Sequence, residues 1–199
     1  MISNKVWNTI RDKEEIVDWA NLVWSSKVIP RHQFILWLAF QEILNTRDRV
    51  KKYMEILDSS CLLCEGNEEI VDHLFGNYSF ASKLWNKFAK NIEMTRFPED
   101  WKEIKEVSMK KAKCTKFKSK IFKYGFGSTV YNIGRERNAR AFSRNQRSLK
   151  QTWDNIVTYC NANIQTWRRV PKNEQNWNLY RNWNVSYQKV TKDTVFLAR

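Results

Sequence analysis

The chain has 199 residues, 42% of them hydrophobic and 14% aromatic, with ten tryptophans but only five glycines and three prolines. This composition excludes a disordered chain, which is poor in aromatics, and argues against a loop-rich or all-β protein. The formal charge of +14 is lopsided: residues 1–100 hold 13 Lys/Arg against 15 Asp/Glu, and residues 101–199 hold 22 against 6, a bias that points to a polyanionic partner.

Taken in chain order, Ser3 is placed to cap a helix running to Asp12, with Val6, Trp7 and Ile10 on one face. Ile16 to Trp24 gathers Trp19, Leu22, Val23 and Trp24. Pro30 then opens a helix to Ile43, since proline at the first helical position loses no bond. Phe34, Ile35, Leu36, Trp37, Leu38 and Phe40 surround that helix on nearly all sides, which predicts that it forms the centre of the core. Thr46 is placed to cap a short helix from Arg47 to Val50. Ser59 to Cys64 reads as a turn and Glu68 to Phe75 as a short helix carrying His73. Ser79 caps a helix that turns Leu84, Trp85 and Phe88 inward. The pattern pauses near Arg96-Phe97-Pro98-Glu99-Asp100.

Lys102 to Lys123 is lysine-rich. A long helix is predicted over about Phe117–Phe142, with a stripe of Phe122, Phe126, Val130 and Ile133 and with Gly125 and Gly127 as weak points. Another spans about Ser148–Trp167, with Trp153, Ile156, Val157, Cys160 and Ile164 on one side. After Pro171 the chain is Asn-rich and aperiodic, and Trp183–Val195 supplies one short strand or none. The expectation is a mainly α protein: a compact multi-helix domain with a Cys-Cys-His turn-helix, then a long basic helix and a C-terminal helix. The divisions fall at 1–95, 96–147 and 148–199. No apolar run approaches the ~18 residues of a membrane span. The N-terminus lacks a secretory apolar region, so an intracellular setting, nucleus or cytoplasm, is expected, with its four cysteines free or metal-bound.

Cys61-Leu62-Leu63-Cys64 is a C-x₂-C knuckle, a spacing that brings two thiolates to one side of a tight turn, and His73 follows nine residues later. Three readings stay open: a zinc ion completed by Cys114, Cys160, Asp72 or water; a relic held by packing of Leu62, Leu63, Leu74 and Phe75; or a catalytic zinc with an open position.

These motifs fall in a familiar order: Val6-Trp7-Asn8-Thr9-Ile10, Trp24, Ile29-Pro30-Arg31-His32, Phe34-Ile35-Leu36-Trp37-Leu38-Ala39, Leu44-Asn45-Thr46-Arg47-Asp48-Arg49, Cys61-x-x-Cys64, Asp72-His73-Leu74-Phe75, Leu84-Trp85 and Ile133-Gly134-Arg135-Glu136-Arg137-Asn138-Ala139-Arg140-Ala141-Phe142. The series resembles the zinc-binding domain that follows the reverse transcriptase in plant non-LTR retrotransposon polyproteins. The resemblance implies a Cys-x-x-Cys, His, Cys zinc site and a nucleic-acid-binding role. It carries Cys61, Cys64 and His73 over as metal ligands, whereas the closing ligand falls on Tyr78 and the usual Trp before Arg135 is Gly134. With no reverse-transcriptase catalytic segment present, it implies a stand-alone, domesticated copy.

Lys110, Lys111, Lys113, Lys116, Lys118, Lys120 and Lys123 place seven lysines in fourteen residues, with Phe117 and Phe122 interleaved. Arg135 follows, and Arg137, Arg140, Arg144 and Arg147 recur at spacings of three and four, one face of a helix. Lysine suits phosphates as a point charge and arginine adds forked bonds and stacking, so sequence-nonspecific binding of RNA or DNA is expected. A protein-interaction adaptor is the alternative. A metal-dependent nuclease is disfavoured: the chain has no phosphate loop, serine elbow or H-E-x-x-H motif, and its second half holds six dispersed acids. The expectation is a non-enzyme.

Overall fold

The computed structural model describes residues 17–185, apart from 27, 57, 65, 77, 78, 144, 168, 169 and 172. The helix expected at Ser3–Asp12 and the segment beyond Val185 lie outside the described residues. The elements are α1 (Ala20–Val23), α2 (Pro30–Phe40), α3 (Arg47–Val50), α4 (Val71–Phe75), α5 (Ser79–Asn91), α6 (Trp101–Ala112), α7 (Phe117–Phe142), α8 (Leu149–Ile164) and α9 (Glu174–Asn182). Among the described residues the only β pairing is a single antiparallel bridge, Ser60 to Glu68.

The centre of the protein is α7, not α2. Packed around it are α1, α2, α4, α5, α6, α8 and α9. Phe122, Phe126, Val130 and Ile133 are all buried, as are Gly125, Gly127, Ser128, Thr129 and Asn132 between them. Thr129 and Asn132 survive there because each donates to a carbonyl one turn back, Thr129 to Gly125 and Asn132 to Ser128. Gly125 and Gly127 are not weak points. A Cβ on Gly125 would lie 2.7 Å from the Phe88 ring and 3.1 Å from Trp183, and one on Gly127 would lie 3.2 Å from Val28. Their bareness lets neighbouring elements close onto α7. By contrast, α2 buries His32, Leu36, Ala39 and Phe40 but leaves Phe34 54% exposed against Trp37.

The lysine-rich stretch divides between two helices, and the tail that reads as aperiodic contains one. The lysine-rich run begins with α6, whose Trp101, Ile104, Ser108 and Ala112 are buried at three- and four-residue spacing. Asp100 caps it by accepting from Glu103 N–H. The Asn-rich tail contains α9, capped by Asn173, which accepts from Asn176 N–H at 2.8 Å. Asn91 and Asn182 exchange side-chain bonds to each other's carbonyls, and Asn161 donates to the Trp183 carbonyl. These amides fasten α9 to α5 and α8. A single aromatic core, including Trp85, Phe88, Phe97, Trp101, Phe126 and Trp183, runs through residues from both halves of the chain.

Candidate functional site

The knuckle lies in the loop closed by the Ser60–Glu68 bridge, ahead of α4 in the chain. Cys61 N–H donates to the Asn67 carbonyl at 2.6 Å, and Cys64 N–H donates to the Cys61 carbonyl at 3.3 Å, which closes the turn. Leu63 N–H points at Cys61 Sγ at 3.4 Å, a contact that favours the thiolate form. The helix α4 then brings His73 over the turn, with Nε2 3.0 Å from Cys64 Sγ. The ligand atoms of Cys61, Cys64 and His73 all lie within 4.8 Å of one another. Cys61 and His73 are buried and Cys64 is half-buried. Without a cation, burial pushes the Cys61 thiol up to about 11 and lowers the His73 pKa. Two thiols and an imidazole in this arrangement fit a small tetrahedral cation such as zinc.

The candidate fourth ligands are employed elsewhere. Asp72 Oδ1 accepts from Trp101 N–H at 2.8 Å and so holds the start of α6. Cys114 is exposed and accepts from Lys116 N–H. Cys160 is buried in α8. Among the described residues no further Cys, His, Asp or Glu joins the group. Tyr78, at the expected closing position, lies outside the described residues.

Glu69 organises the knuckle, a role its sequence position does not signal. Its carboxylate is fully buried. One oxygen accepts from Arg47 N–H at 3.1 Å, so the start of α3 is held by this distant carboxylate rather than by the Thr46 side chain, which makes no capping bond. The same oxygen takes Arg137 Nη2 at 2.6 Å and Nε at 2.9 Å. The other lies 3.5 Å from Leu62 N–H inside the knuckle. Arg140 donates to the Leu62 carbonyl at 3.0 Å and its guanidinium covers the Phe80 ring. Arg47 donates to the Ser60 carbonyl at 3.0 Å. Three arginines and one carboxylate therefore pin the metal-ligand turn to α3 and α7.

This changes the standing of the arginine face. Arg137 is buried on Glu69. Arg140 pairs with Glu136, which also accepts from Arg147 N–H. Arg135 is half-buried, with Nη1 3.5 Å from Tyr159 Oη, and lines a cleft of about 160 Å³ with Ile35, Asn45 and Tyr131. Arg144 lies outside the described residues.

The lysines behave differently. Lys110, Lys111, Lys113, Lys116 and Lys120 are exposed and form no ion pair among the described residues. Lys118 pairs with Glu93 at 3.5 Å. Lys123 is half-buried, and desolvation lowers its pKa, with neighbouring Lys120 adding to the effect. The cluster wraps the α6–α7 junction. The other notable buried polar group, His32, lies away from it, against Ser128 and stacked on Tyr131.

No helix among the described residues is long and apolar enough to cross a membrane. No curated protein and no solved structure matches the chain. Residues 2–85 match the family model described as zinc-binding in reverse transcriptase, a span that contains Cys61, Cys64 and His73 and ends within α5.

Proposed function

We propose that the protein is a retroelement-derived, non-catalytic nucleic-acid-binding module of intracellular origin, in which a zinc-stabilised knuckle braces a basic surface. The observation that carries this reading is the group of five exposed lysines at the α6–α7 junction with no acidic partner among the described residues. Cations left unneutralised on rigid helices suit phosphates, whereas a merely solubilising surface mixes signs. The match over residues 2–85 supports the retroelement origin and zinc as the metal, and the motif order, which resembles plant non-LTR elements, is the ground for proposing that source. A structural rather than catalytic role for zinc is supported by the surrounding carboxylates: Glu69 and Asp72 are engaged in holding Arg137 and α6, so neither is available as a general base.

The test is a salt titration of RNA, single-stranded DNA and duplex DNA binding to the full chain. Neutralising about six phosphates predicts that duplex affinity falls roughly a thousandfold between 50 and 200 mM salt. Affinity that is flat over that range overturns the reading. It would instead favour an adaptor that docks a protein through exposed apolar side chains such as Phe34 and Phe142.

A further inference from the structure

Between the end of α5, the α6–α7 junction and the first turns of α7 lies a cavity of about 200 Å³. Its floor is apolar: Ile92 and Phe122 are buried and Met94 is half-buried. Lys111, Lys116 and Lys118 stand around it, and the exposed Cys114 closes one side. Ser119, in the wall, donates to the Lys111 carbonyl at 2.8 Å and so fixes the end of α6 against the start of α7. Lys116 is the N-cap of α7 and provides no side-chain cap for it, so the 26-residue helix presents its positive end beside these lysines.

We infer that this cavity receives one unpaired base of a single-stranded nucleic acid, with the flanking phosphates on Lys111, Lys116 and the start of α7. The inference rests on the nucleic-acid reading above and specifies what that surface selects. Three features choose the occupant. The volume takes a single ring system, being smaller than the ~300–1,000 Å³ of drug-sized ligand sites. The lining offers the half-buried Met94 thioether over the buried Ile92 and Phe122, an apolar surface that takes any base without reading its edges. The cations stand on more than one element around the opening, which suits a strand carrying phosphate on both sides of a base. An acyl chain has one charged end and more length than the cavity holds. Lys118 stays tethered by Glu93 and shapes the rim more than it binds. A duplex, its bases stacked away inside, reaches the lysines but not the floor.

The test compares fluorescence anisotropy of two labelled strands of equal length and charge at low salt, oligothymidylate and an abasic oligomer. The base-bearing strand is expected to bind about tenfold more tightly, the effect of burying roughly 50 Å² of apolar surface. Filling the cavity with Cys114→Phe should abolish that difference and leave the salt slope intact. Met94→Ser, which roughens the floor without adding charge, should reduce it. Circular dichroism of both variants establishes that they fold. Equal affinity for the two strands with a normal salt slope overturns the base cavity and leaves the basic surface standing. Discrimination that survives Cys114→Phe in a folded variant also overturns it. Binding of neither strand removes both readings.

Discussion

The Glu69 carboxylate and the Arg137 guanidinium meet in the interior although 68 residues separate them, with Nη2 at 2.6 Å and Nε at 2.9 Å from one oxygen. Around this pair the knuckle, α3 and α7 become one rigid unit. It links a metal-ligand turn in the near-neutral half of the chain to the central helix of the basic half.

Removing either partner leaves the other charged, buried and unanswered. Glu69→Gln and Arg137→Met should each cost about 3–5 kcal/mol, read as a lower urea midpoint at unchanged slope. The double variant should cost much less than the sum, since the second change removes the stranded charge. Strict additivity would show that the two side chains do not act as a pair.

Zinc should raise the melting temperature, because the folded turn gathers ligands that the unfolded chain scatters. A chelator should reverse the shift, and Cys64→Ser should abolish it. Because burial holds the Cys61 thiol at about 11 without metal, loading at neutral pH must displace a proton. Apparent zinc affinity should therefore fall as pH is lowered. Identical melting curves with zinc and with chelator would refute a structural metal.

His32 supplies a second pH dependence. Burial first, and the Arg31 charge second, depress its pKa from 6.5 to about 3. The groups facing it are Ser128 and the rings of Tyr124, Tyr131 and Tyr159, and none of these is an anion to support a protonated imidazole. The folded state keeps the ring neutral while the unfolded state protonates below 6.5, so this stability is present above 6.5 and is lost as pH falls toward 3. From pH 7 to 5 the loss should be about 2 kcal/mol. His32→Gln should flatten that slope in denaturation profiles of the metal-free protein, whatever it does to the absolute stability. An unchanged slope would argue against a neutral buried ring.

Glycines of α7 should respond in opposite directions to the same substitution. At Gly125 a methyl meets Phe88 at 2.7 Å, and that ring is hemmed in by Trp85, Phe97 and Phe122. Gly125→Ala should destabilise by about 1–2 kcal/mol, overpacking outweighing the helix gain. At Gly134 the nearest atom is Ile35 Cγ2 at 3.6 Å, ordinary contact, so Gly134→Ala should stabilise by roughly 0.5–1 kcal/mol. Thermal unfolding of the two variants checks both signs.

The exposed lysines should contribute to binding through charge alone. Each of Lys111→Ala and Lys116→Ala should weaken RNA and DNA to a similar degree, and each should reduce the magnitude of the salt slope by about one. Alanine at Lys105, which is engaged with Glu42 on α6 away from the junction, should leave the slope unchanged. Equal effects at all three positions would mean that no particular surface is used.

Local signals in the sequence were sufficient for several elements. The stripe from Phe122 to Ile133 marks α7, and its span of Phe117–Phe142 is the expected one. Ser148 and Gln151 form a reciprocal capping box that starts α8. The spacing of Cys61, Cys64 and His73 marks the group that the fold gathers. Such features are legible because they arise within a few residues: periodicity, a cap, a tight turn.

Other features depend on partners far along the chain. The repeat of Arg137, Arg140, Arg144 and Arg147 fixes a helical face but not whether it meets solvent, and Glu69 and Glu136 pair with three of these arginines, Arg137, Arg140 and Arg147. The asparagines after Pro171 look like loop because their amides compete with local backbone, yet Asn173 caps α9 and Asn182 reaches the Asn91 carbonyl, while Asn91 and Asn161 satisfy carbonyls at the end of α9. The sequence by itself determined a helical, basic protein with a three-ligand turn, since composition, period and spacing are local. Only the tertiary structure decided which cations are consumed in holding that turn and which remain at the α6–α7 junction, because a buried charge requires its counter-charge wherever in the chain it lies.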